Sequence, residues 1–578
     1  MLRNSSSAAG AASQLLKMMY GYRSYKIRAS ARSILYLLAC AVIFLLWTLC
    51  GLYAPYVYTR TGSDVLLAES PYCGFALPQV SDSTNGGDTF NMFQKRDIDL
   101  VSSADAYVQQ CYNESSATSA QCSTFPKQSL QYRKTVVGCP FGANNDLCVT
   151  VNSSTIQLDT GLLDSNFDFG INARESETLK YRQVATCSPL LAGSAGLVAI
   201  VNTTGTDLAA SYPPGEVLYE YMFGPTTVGN YTYVHTQYER LYEQNYEITT
   251  LQYFPGVDLD EQEWAPNSTL YAAQDADVTI SFLAANEIKY YYPVYDPLFS
   301  AGLDDNDTII VPDGAKNETF YTSHHLVDVV GCIEQYQICI TEGVCTPLVP
   351  LQVIQNATVA LLKANNAENI GRIATLGRLS ITSGSTGIGN PVLRRGIAVM
   401  LAPRSLNGVT QTARLPQNQW ELEVENWFSI ALAKMQSYML SYAAGPEDPI
   451  FRPFVSGPVA AARNSACANQ RVRNMEGNVN FNLSALIVLA VGGFVLIFIG
   501  LCFEPIVAWI SKLNSSLRKR WAQYVSDGMY QIQRSSLEAQ GVRNWKHEKD
   551  SLPTSSQLVE QAEPFEASSH ESVAFVSK

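Results

Sequence analysis

Two long stretches without a charged side chain constrain this chain more than any other feature of its sequence. They cover residues 33–59 and 477–503, and each is 27 residues long. A helix needs about 20 apolar residues to cross the hydrocarbon of a bilayer. The sequence therefore predicts two transmembrane helices, with residues 60–476 between them.

The first stretch is expected to be an uncleaved signal anchor. It is preceded by 32 residues, its apolar run exceeds a signal-peptide core, and Pro55 disfavours the nearest cleavage sites. Within about 20 residues of the spans, the flanks that face the two termini carry nine lysines and arginines and the inner flanks carry four. Because basic residues stay in the cytoplasm, we expect both termini there. Residues 60–476 are then extracellular or lumenal, at the plasma membrane or a secretory-pathway membrane.

Charge follows the same division of the chain. Residues 60–481 carry 24 Lys and Arg against 43 Asp and Glu, a net charge of −19, and the rest of the chain has a net charge of +6. Proteins that bind nucleic acid need basic side chains opposite the phosphates. The acidic middle region therefore argues against nucleic acid as a partner.

N-x-[ST] sequons, the acceptors of N-linked glycans, support an external location for the middle region. Eight are spread through it, although Asn4 and Asn514 on the predicted cytoplasmic side show that chance supplies some. The glycosylation candidates are Asn113, Asn152, Asn202, Asn230, Asn267, Asn306, Asn317 and Asn356.

Ten of the 13 cysteines lie between the two stretches. An even number of thiols in an oxidising compartment predicts disulfides, here five. The disulfide candidates are Cys73, Cys111, Cys122, Cys139, Cys148, Cys187, Cys332, Cys339, Cys345 and Cys467.

Three of these thiols crowd into GCIEQYQICITEGVC at residues 331–345. A zinc site would need a fourth ligand, and only His324 and His325 lie nearby to complete it. The oxidising compartment favours disulfides over metal. Because three is odd, at least one of these thiols must pair elsewhere, and Cys187 is one candidate.

One pairing follows from where its two members are tethered. Cys73 lies 14 residues beyond the first uncharged stretch and Cys467 lies ten residues before the second, so both stay near the same patch of membrane. A bond between them would clamp the base of the external region. Closing so long a loop stabilises a fold by about 4 to 5 kcal/mol in the chain-entropy treatment.

The spacing of apolar residues changes within the external region. Residues 60–330 contain short alternating or β-branched runs between turn signals, which predict a β-rich part. Residues 331–476 predict a helix-containing part, with one helix over 417–443 capped by Asn418 and a second over 351–376.

The expected fold is an α+β membrane protein, with a β-rich, disulfide-braced ectodomain that has a helical C-terminal part and is flanked by two transmembrane helices. Residues 1–32 form a cytoplasmic segment in this interpretation. Residues 504–545 form a juxtamembrane amphipathic helix that lies on the inner leaflet, because aromatic side chains alternate there with basic and polar ones. Residues 546–578, rich in Ser and Glu, form a disordered tail.

Several distinctive segments between about residues 165 and 545 suggest a family. They are VATCSPL (184–190), FLAANEIKYYYPVYDPLFSA (282–301), CIEQYQIC with CTPL (332–348), QWELEVENWF (419–428), CANQRVR (467–473) and MYQIQRSSLEAQGVRNW (529–545). As a set they resemble a family of uncharacterised fungal integral membrane proteins that have two spans and a glycosylated ectodomain. The resemblance implies this architecture and a fungal source, and it carries over no activity and no catalytic residue.

No motif in the chain defines an active site. The acidic runs at 258–263 and 304–307 lack the spacing of an EF-hand, and the glycine-rich GSTGIG at 384–389 lacks the Lys-Ser/Thr of a nucleotide-binding loop. There is no G-x-S-x-G and no H-E-x-x-H. Eight tyrosines between 219 and 253 predict cross-strand packing, with stacking on wall polysaccharide as the alternative. We expect no metal and no cofactor.

The leading hypothesis is a two-span membrane glycoprotein whose external domain binds, senses or has a structural role, without catalysis. Its partners would be membrane lipid and a cell-wall glycan or surface protein. The alternative is a membrane-anchored extracellular glycan-active enzyme, since paired carboxylates for glycoside hydrolysis can come from distant strands.

Overall fold

A computed structural model describes residues 8–21, positions 34, 36–38, 40–42, 44, 45, 48, 49, 51 and 52, most of residues 64–546, and residues 554 and 555. Within 64–546 the description leaves out 79–85, 113–119, 143–145, 150–154, 192–195, 205–211, 214, 237–238, 240–242, 259–261, 272, 303–307, 314–315, 409 and 474–480. The chain divides into two compact units, one of residues 63–478 and one of residues 1–62 with 479–578.

The elements are numbered along the chain. The helices are α1 (Ala8–Gly21), α2 (Gly86–Cys111), α3 (Leu351–Ala364), α4 (Ile370–Ser383), α5 (Asn390–Arg395), α6 (Gln419–Ala444), α7 (Arg463–Cys467), α8 (Leu483–Leu513), α9 (Ser515–Ser526) and α10 (Met529–Ala539). The strands are β1 (Asp64–Leu66), β2 (Phe75–Ala76), β3 (Arg133–Val136), β4 (Ile156–Asp159), β5 (Leu163–Asp164), β6 (Lys180–Leu190), β7 (Val198–Asn202), β8 (Val217–Tyr221), β9 (Tyr233–Thr236), β10 (Glu247–Tyr253), β11 (Asp277–Ala284), β12 (Lys289–Tyr290), β13 (Thr308–Asp313), β14 (Lys316–Tyr321), β15 (Asp328–Thr341), β16 (Val344–Cys345), β17 (Leu406–Asn407), β18 (Gln411–Thr412), β19 (Val455–Ser456), β20 (Arg471–Arg473), β21 (Trp545–Lys546) and β22 (Thr554–Ser555).

An eight-stranded antiparallel sheet forms the centre of the larger unit. Its strand order is β10-β11-β15-β6-β4-β3, with β16 paired to β15 and β5 paired to β6. The two longest strands, β6 and β15, pair continuously from Lys180 opposite Cys339 to Leu190 opposite Val329. This long central pair sets the register on which the rest of the sheet is built.

Alternate residues of a strand point to opposite faces of the sheet. Both faces of this sheet are covered by other elements. Val278, Ile280 and Phe282 of β11 pack into a core shared with the small sheet β7-β8-β9. Val330 and Ile338 of β15 pack into a second core shared with the helices. The larger unit is therefore layered as small sheet, large sheet and helices.

The helix α6 is central in the helical layer and corresponds to the helix predicted over 417–443. Asn418 occupies its N-cap position without a side-chain hydrogen bond. Trp420 and Trp427 are each 2% exposed, so the aromatic face is core. The helix is buried on other sides as well, because α2, α4 and α5 also pack on it.

Two predictions about secondary structure need correction. The part predicted as β-rich contains the 26-residue helix α2, whose Val101, Ala104 and Val108 pack into the helical core at helical spacing. The single helix predicted over 351–376 is two helices, α3 and α4, because Asn369 caps the start of α4 by accepting a hydrogen bond from the backbone N–H of Arg372 at 2.8 Å.

The strand that carries the CIEQYQIC sequence, β15, crosses the boundary predicted at residue 330 and belongs to the sheet. The β-rich character of this unit, its mixture with helices and its disulfides agree with the predicted fold class.

The smaller unit contains the 31-residue helix α8, followed by α9 and α10, and the described positions between 34 and 52 are helical. Searched over the described residues alone, the helices include none that is both long and apolar enough to cross a membrane. The predicted spans 33–59 and 477–503 each include residues outside that description, and the predicted tail 546–578 lies almost wholly outside it.

All ten candidate cysteines form disulfides. The pairing argued from the tethers is present, with Cys73 bonded to Cys467 and their Cα atoms 5.8 Å apart. Cys332 opposes Cys187 across β15 and β6 and bonds to it, and Cys339 bonds to Cys345 across β15 and β16. The two remaining bonds are Cys111–Cys122 and Cys139–Cys148.

We expect the double variant Cys73→Ser with Cys467→Ser to lower the free energy of unfolding by about 4 kcal/mol, because this bond closes a very long loop. The matched control is Cys339→Ser with Cys345→Ser, which opens a bond between residues only six positions apart and is expected to cost about half as much. Chemical unfolding of the full chain under non-reducing conditions measures both. Equal losses in the two variants would contradict the prediction.

Candidate functional site

The helix α4 carries apolar side chains on two faces. Leu376 and Leu379 are buried in the core at 1% exposure or less, whereas Ile370 and Ile381 are 48% and 44% exposed. In a surface helix the apolar stripe ordinarily faces the core. A second apolar stripe that faces outward is a candidate surface for contact with a ligand or a partner.

That stripe forms one wall of a groove. The groove encloses a cavity of about 270 Å³. The residues that α4 contributes to it recur at intervals of three or four positions and therefore lie on one face of the helix. The opposite wall comes from β2, β19, the turn after β19 and Tyr442 of α6. The lining residues are Phe75, Leu77, Ile370, Ile373, Ala374, Gly377, Arg378, Ile381, Tyr442, Ser456, Gly457, Pro458, Val459 and Ala462.

The only charged side chain among these lining residues is Arg378, which is 1% exposed. Its Nη2 donates to the carbonyl of Met439 at 2.6 Å and to Oε1 of Gln470 at 2.6 Å, and its Nη1 donates to the carbonyl of Ala466 at 3.3 Å. The guanidinium carbon lies 4.7 Å from the centre of the Tyr442 ring. Nε of Arg378 is buried and has no hydrogen-bond partner among the described residues.

The charge of Arg378 is held by neutral acceptors. Burial lowers the pKa of its guanidinium to about 10, and Tyr442 is the one titratable neighbour that raises this pKa. No Asp or Glu in the described part of the chain makes an ion pair with it. Burying a cation without a counter-ion costs free energy. The groove thus combines an apolar wall with an uncompensated positive charge.

The groove adjoins the place where the two ends of the larger unit meet. Phe75 and Tyr442, which line it, belong to the same buried cluster as Cys73 and Cys467. The rings of Phe75 and Tyr442 lie 4.7 Å apart. The disulfide that closes the unit is therefore also the scaffold for one wall of the groove.

A second cluster of chemically active side chains lies between the large sheet and the helices. Asp277 of β11 and Glu334 of β15 are directly opposite each other in the sheet, and each is 4% exposed. Glu334 accepts hydrogen bonds from Gln183 at 2.6 Å and from the backbone N–H of Ile388 at 3.2 Å. Tyr336 also hydrogen-bonds its carboxylate.

Burial governs the electrostatics of this acid pair. It raises the pKa of Glu334 to about 7, against hydrogen bonds from Gln183, Ile388 and Tyr336 that lower it. The pKa of Asp277 is raised well above its ordinary value by burial and by the adjacent Glu334. Two carboxyl groups so close cannot both ionise without repulsion. Burial and this repulsion therefore both favour the protonated form of Asp277.

The glycine-rich sequence GSTGIG at 384–389 serves this acid cluster. It connects α4 to α5, and its Ile388 N–H donates to Glu334. A Cβ on Gly387 would lie 2.9 Å from Oε2 of Glu334, and one on Gly389 would lie 2.6 Å from Cγ2 of Thr279. The glycines let the loop approach the sheet closely, which explains a composition that resembles a phosphate loop.

The remaining sequence candidates have structural partners. His325 pairs with Asp328 through Nδ1 and Oδ1 at 2.8 Å, and no cluster of metal ligands occurs in the part of the chain that is described. Tyr221 and Tyr233 pack on Phe282, as expected for cross-strand packing, and Tyr246 donates to Tyr290. Residues 259–261 and 304–307, within the acidic runs, lie outside the described residues, as do Tyr238 and Tyr242.

The sequons differ in what their side chains do. Asn202, Asn230 and Asn356 are exposed. Asn267 is half-buried, donates to the carbonyl of Met222 at 3.1 Å and accepts from the N–H of Leu270 at 2.9 Å. Of the other glycosylation candidates, Asn317 has its backbone in β14, and the remaining three, Asn113, Asn152 and Asn306, lie outside the described residues.

Sequence reasoning missed both Arg378 and the acid pair. The spacing of Ile370, Ile373 and Ile381 with Arg378 on the same helical face was the available signal for the groove. For the acid pair, the period-two placement of Glu334 and Tyr336 inside CIEQYQIC was the signal.

Together, the fold and the site define a disulfide-braced α+β domain with an apolar groove and a buried arginine beside its closure. Comparison with protein-family models, curated proteins and solved structures finds no match to this chain.

The acid pair generates a pH prediction. Because the pKa of Glu334 in the folded protein is about 7 and its ordinary value is 4.5, folding binds a proton between these pH values. The contribution of Glu334 to stability is therefore fully present below the ordinary pKa and is lost as the pH rises to about 7. Glu334→Gln keeps an acceptor for Gln183 but does not titrate. We expect the variant to gain roughly 3 kcal/mol relative to the native chain between pH 4.5 and pH 8.

Denaturant unfolding of both chains at the two pH values measures this difference. Glu368→Gln is the control, because Glu368 lies exposed between α3 and α4. An offset between Glu334→Gln and the native chain that is independent of pH would overturn the assignment.

Proposed function

We propose that this chain is a two-span membrane glycoprotein whose residues 60–476 lie outside the cell or in the secretory lumen and bind a ligand without catalysis. The observation that carries the proposal is the closure of residues 63–478 at their two ends. β1 pairs with β20 from Asp64 opposite Arg473 to Leu66 opposite Arg471, and the Cys73–Cys467 bond locks the same place. A domain anchored by a transmembrane helix at each end needs its first and last segments side by side, so that both can continue into the same membrane.

The apolar stretches supply the anchors in this proposal. Each is 27 residues without a charge, and the basic side chains around them favour cytoplasmic termini. Along α8, Leu483, Val488 and Leu501 are 68%, 71% and 72% exposed. Lipid is the solvent that such side chains require.

The helices α9 and α10 then lie on the inner leaflet. Arg518, Lys519 and Arg520 are exposed on α9, next to Trp521 and Tyr524, whose ring centroids are 5.2 Å apart. Each basic residue near anionic lipid contributes about 1 kcal/mol to membrane binding, and the rings of Trp and Tyr favour the membrane–water interface. Membrane lipid is accordingly a proposed partner of this segment.

Binding is favoured over catalysis by the character of the two sites. The groove offers an apolar wall and a cation, and no histidine or carboxylate stands among its lining residues to activate the hydroxyls of Ser456 and Tyr442. The acid pair Asp277 and Glu334 is the observation that favours the alternative, a glycan-active enzyme. Both carboxyl groups are packed beneath the helices at 4% exposure, so a saccharide could reach them only after the layers separate.

We also propose, from the segments quoted above, that the chain belongs with the fungal two-span membrane proteins that it resembles. A cell-wall glycan or surface protein remains the proposed external ligand on that basis. The acidic surface argues against nucleic acid.

The topology has a direct test in cells that express the full chain with a tag at each end. We expect both tags to be inaccessible to antibody until the cells are permeabilised, and glycosidase treatment to increase gel mobility. Tags that are accessible on intact cells, together with unchanged mobility, would reject the proposed topology.

Glycan occupancy gives a residue-level prediction. Asn202→Gln, Asn230→Gln and Asn356→Gln should each increase gel mobility by one glycan, because these side chains are exposed. Asn267→Gln should leave mobility unchanged, because its amide is held within the fold at both ends. Glycopeptide mass spectrometry checks each site, and a fully occupied Asn267 would contradict the expectation.

A further inference from the structure

We propose that the groove beside α4 binds a single-chain amphiphile with a carboxylate head group, with the carboxylate at Arg378 and the aliphatic chain along Ile370, Ile373 and Ile381. This inference rests on the proposed function only for the source of the ligand, since an external domain held at a membrane is close to a supply of amphiphiles. The site itself is argued from the groove.

The apolar part of the ligand follows from the lining. Apart from Arg378, the residues around the cavity are aliphatic, aromatic or small, with Ser456 as the one hydroxyl side chain besides the phenol of Tyr442. The volume of about 270 Å³ is just below the range of roughly 300–1,000 Å³ that pockets for drug-sized ligands occupy. A cavity of this size and polarity fits one flexible hydrocarbon chain better than a ring system or a sugar.

The head group follows from Arg378. This arginine lines the cavity and is 1% exposed, and its buried Nε has no acceptor in the part of the chain that the structure describes. Guanidinium groups keep their charge at neutral pH and form charge-assisted hydrogen bonds with carboxylates. Both hydrogens of Nη2 are already donated within the fold, so this bond would come from Nε. A carboxylate at this position would supply both the missing acceptor and the missing negative charge.

A purely structural role for Arg378 makes a different prediction. In that case Arg378 only holds the fold together through its hydrogen bonds to Met439, Ala466 and Gln470. The affinity of the groove for a ligand then does not depend on the charge of the head group. Ligand series that differ only in the head group separate the two roles.

The experiment uses the full chain in nanodiscs of zwitterionic phosphatidylcholine. The probe is radiolabelled decanoate in equilibrium dialysis, with decanol as the uncharged analogue and decyltrimethylammonium as the cationic analogue. We expect saturable binding of decanoate, with affinity about tenfold or more above that of decanol and no saturable binding of the cation.

Gly377→Leu tests the position of the chain without disturbing the fold. A Cβ on Gly377 would meet nothing within 4 Å, and the residue lines the cavity in the middle of α4. Leucine there fills the groove and is also a better helix former than glycine. The matched control is Gly87→Leu on α2, where an added Cβ likewise meets nothing within 4 Å. Decanoate binding should be lost in the first variant and kept in the second.

Arg378→Met tests the head group, with Arg372→Met as the control on the same helix. Arg372 also donates to backbone carbonyls, of Ala367 and Thr178, but does not line the cavity. Arg378→Met should reduce the preference for decanoate over decanol about tenfold, and Arg372→Met should leave it unchanged. If Arg378→Met does not fold, the proposal is still tested by Gly377→Leu with its control Gly87→Leu and by the comparison of decanoate with decanol.

Equal affinity for decanoate and decanol, or decanoate binding that survives Gly377→Leu, would overturn the proposal. Neither outcome depends on topology, which the tag and glycosidase experiment measures separately. A correct topology with no decanoate binding would therefore reject the ligand and leave the proposed membrane glycoprotein intact.

Discussion

The closure between the first and last segments of residues 63–478 is the constraint on which the rest of the larger unit depends. β1 and β20 are separated by some four hundred residues in sequence, yet they pair directly and the Cys73–Cys467 bond fixes their neighbours. Loop closure over such a distance is entropically costly, and a covalent bond lowers that cost because it restricts the unfolded chain. The walls of the groove depend on this closure, because β2 and Tyr442 pack on the disulfide.

The polar groups between the sheet and the helices show how the interior tolerates ionisable side chains. Gln183, Ile388 and Tyr336 direct donors at Glu334, while Asp277 accepts from the N–H of Leu351 at the start of α3. Buried networks of this kind fix one arrangement of the layers when they are satisfied and are costly when they are not. The acid pair is thus a feature of how the helical layer docks on the sheet.

Sequence reasoning predicted the parts of the fold that local patterns determine. The strands β10 and β11, the helix α6 and the Cys73–Cys467 bond all follow from alternation, helical spacing or tether length. The helix α2 was missed because its apolar residues are few and its exposed face is strongly polar. The site was missed for a different reason. Helical spacing gives α4 two apolar faces, one with Leu376 and Leu379 and one with Ile370 and Ile381, and only tertiary packing decides which of the two faces outward.

The comparison of two buried cations indicates why the arginine points to a ligand. Lys434 of α6 is fully buried, and the fold gives it Oδ1 of Asp97 at 2.5 Å and Oδ1 of Asn390 at 2.6 Å. Burial lowers the pKa of Lys434 to about 8 while Asp97 raises it, which is the pattern of a compensated structural charge. Arg378 is as deeply buried but receives only carbonyl and amide oxygens, at the edge of an apolar cavity. Since this fold supplies a carboxylate to Lys434 in its interior, the absence of one among the described neighbours of Arg378 is best explained if the counter-ion arrives with a ligand.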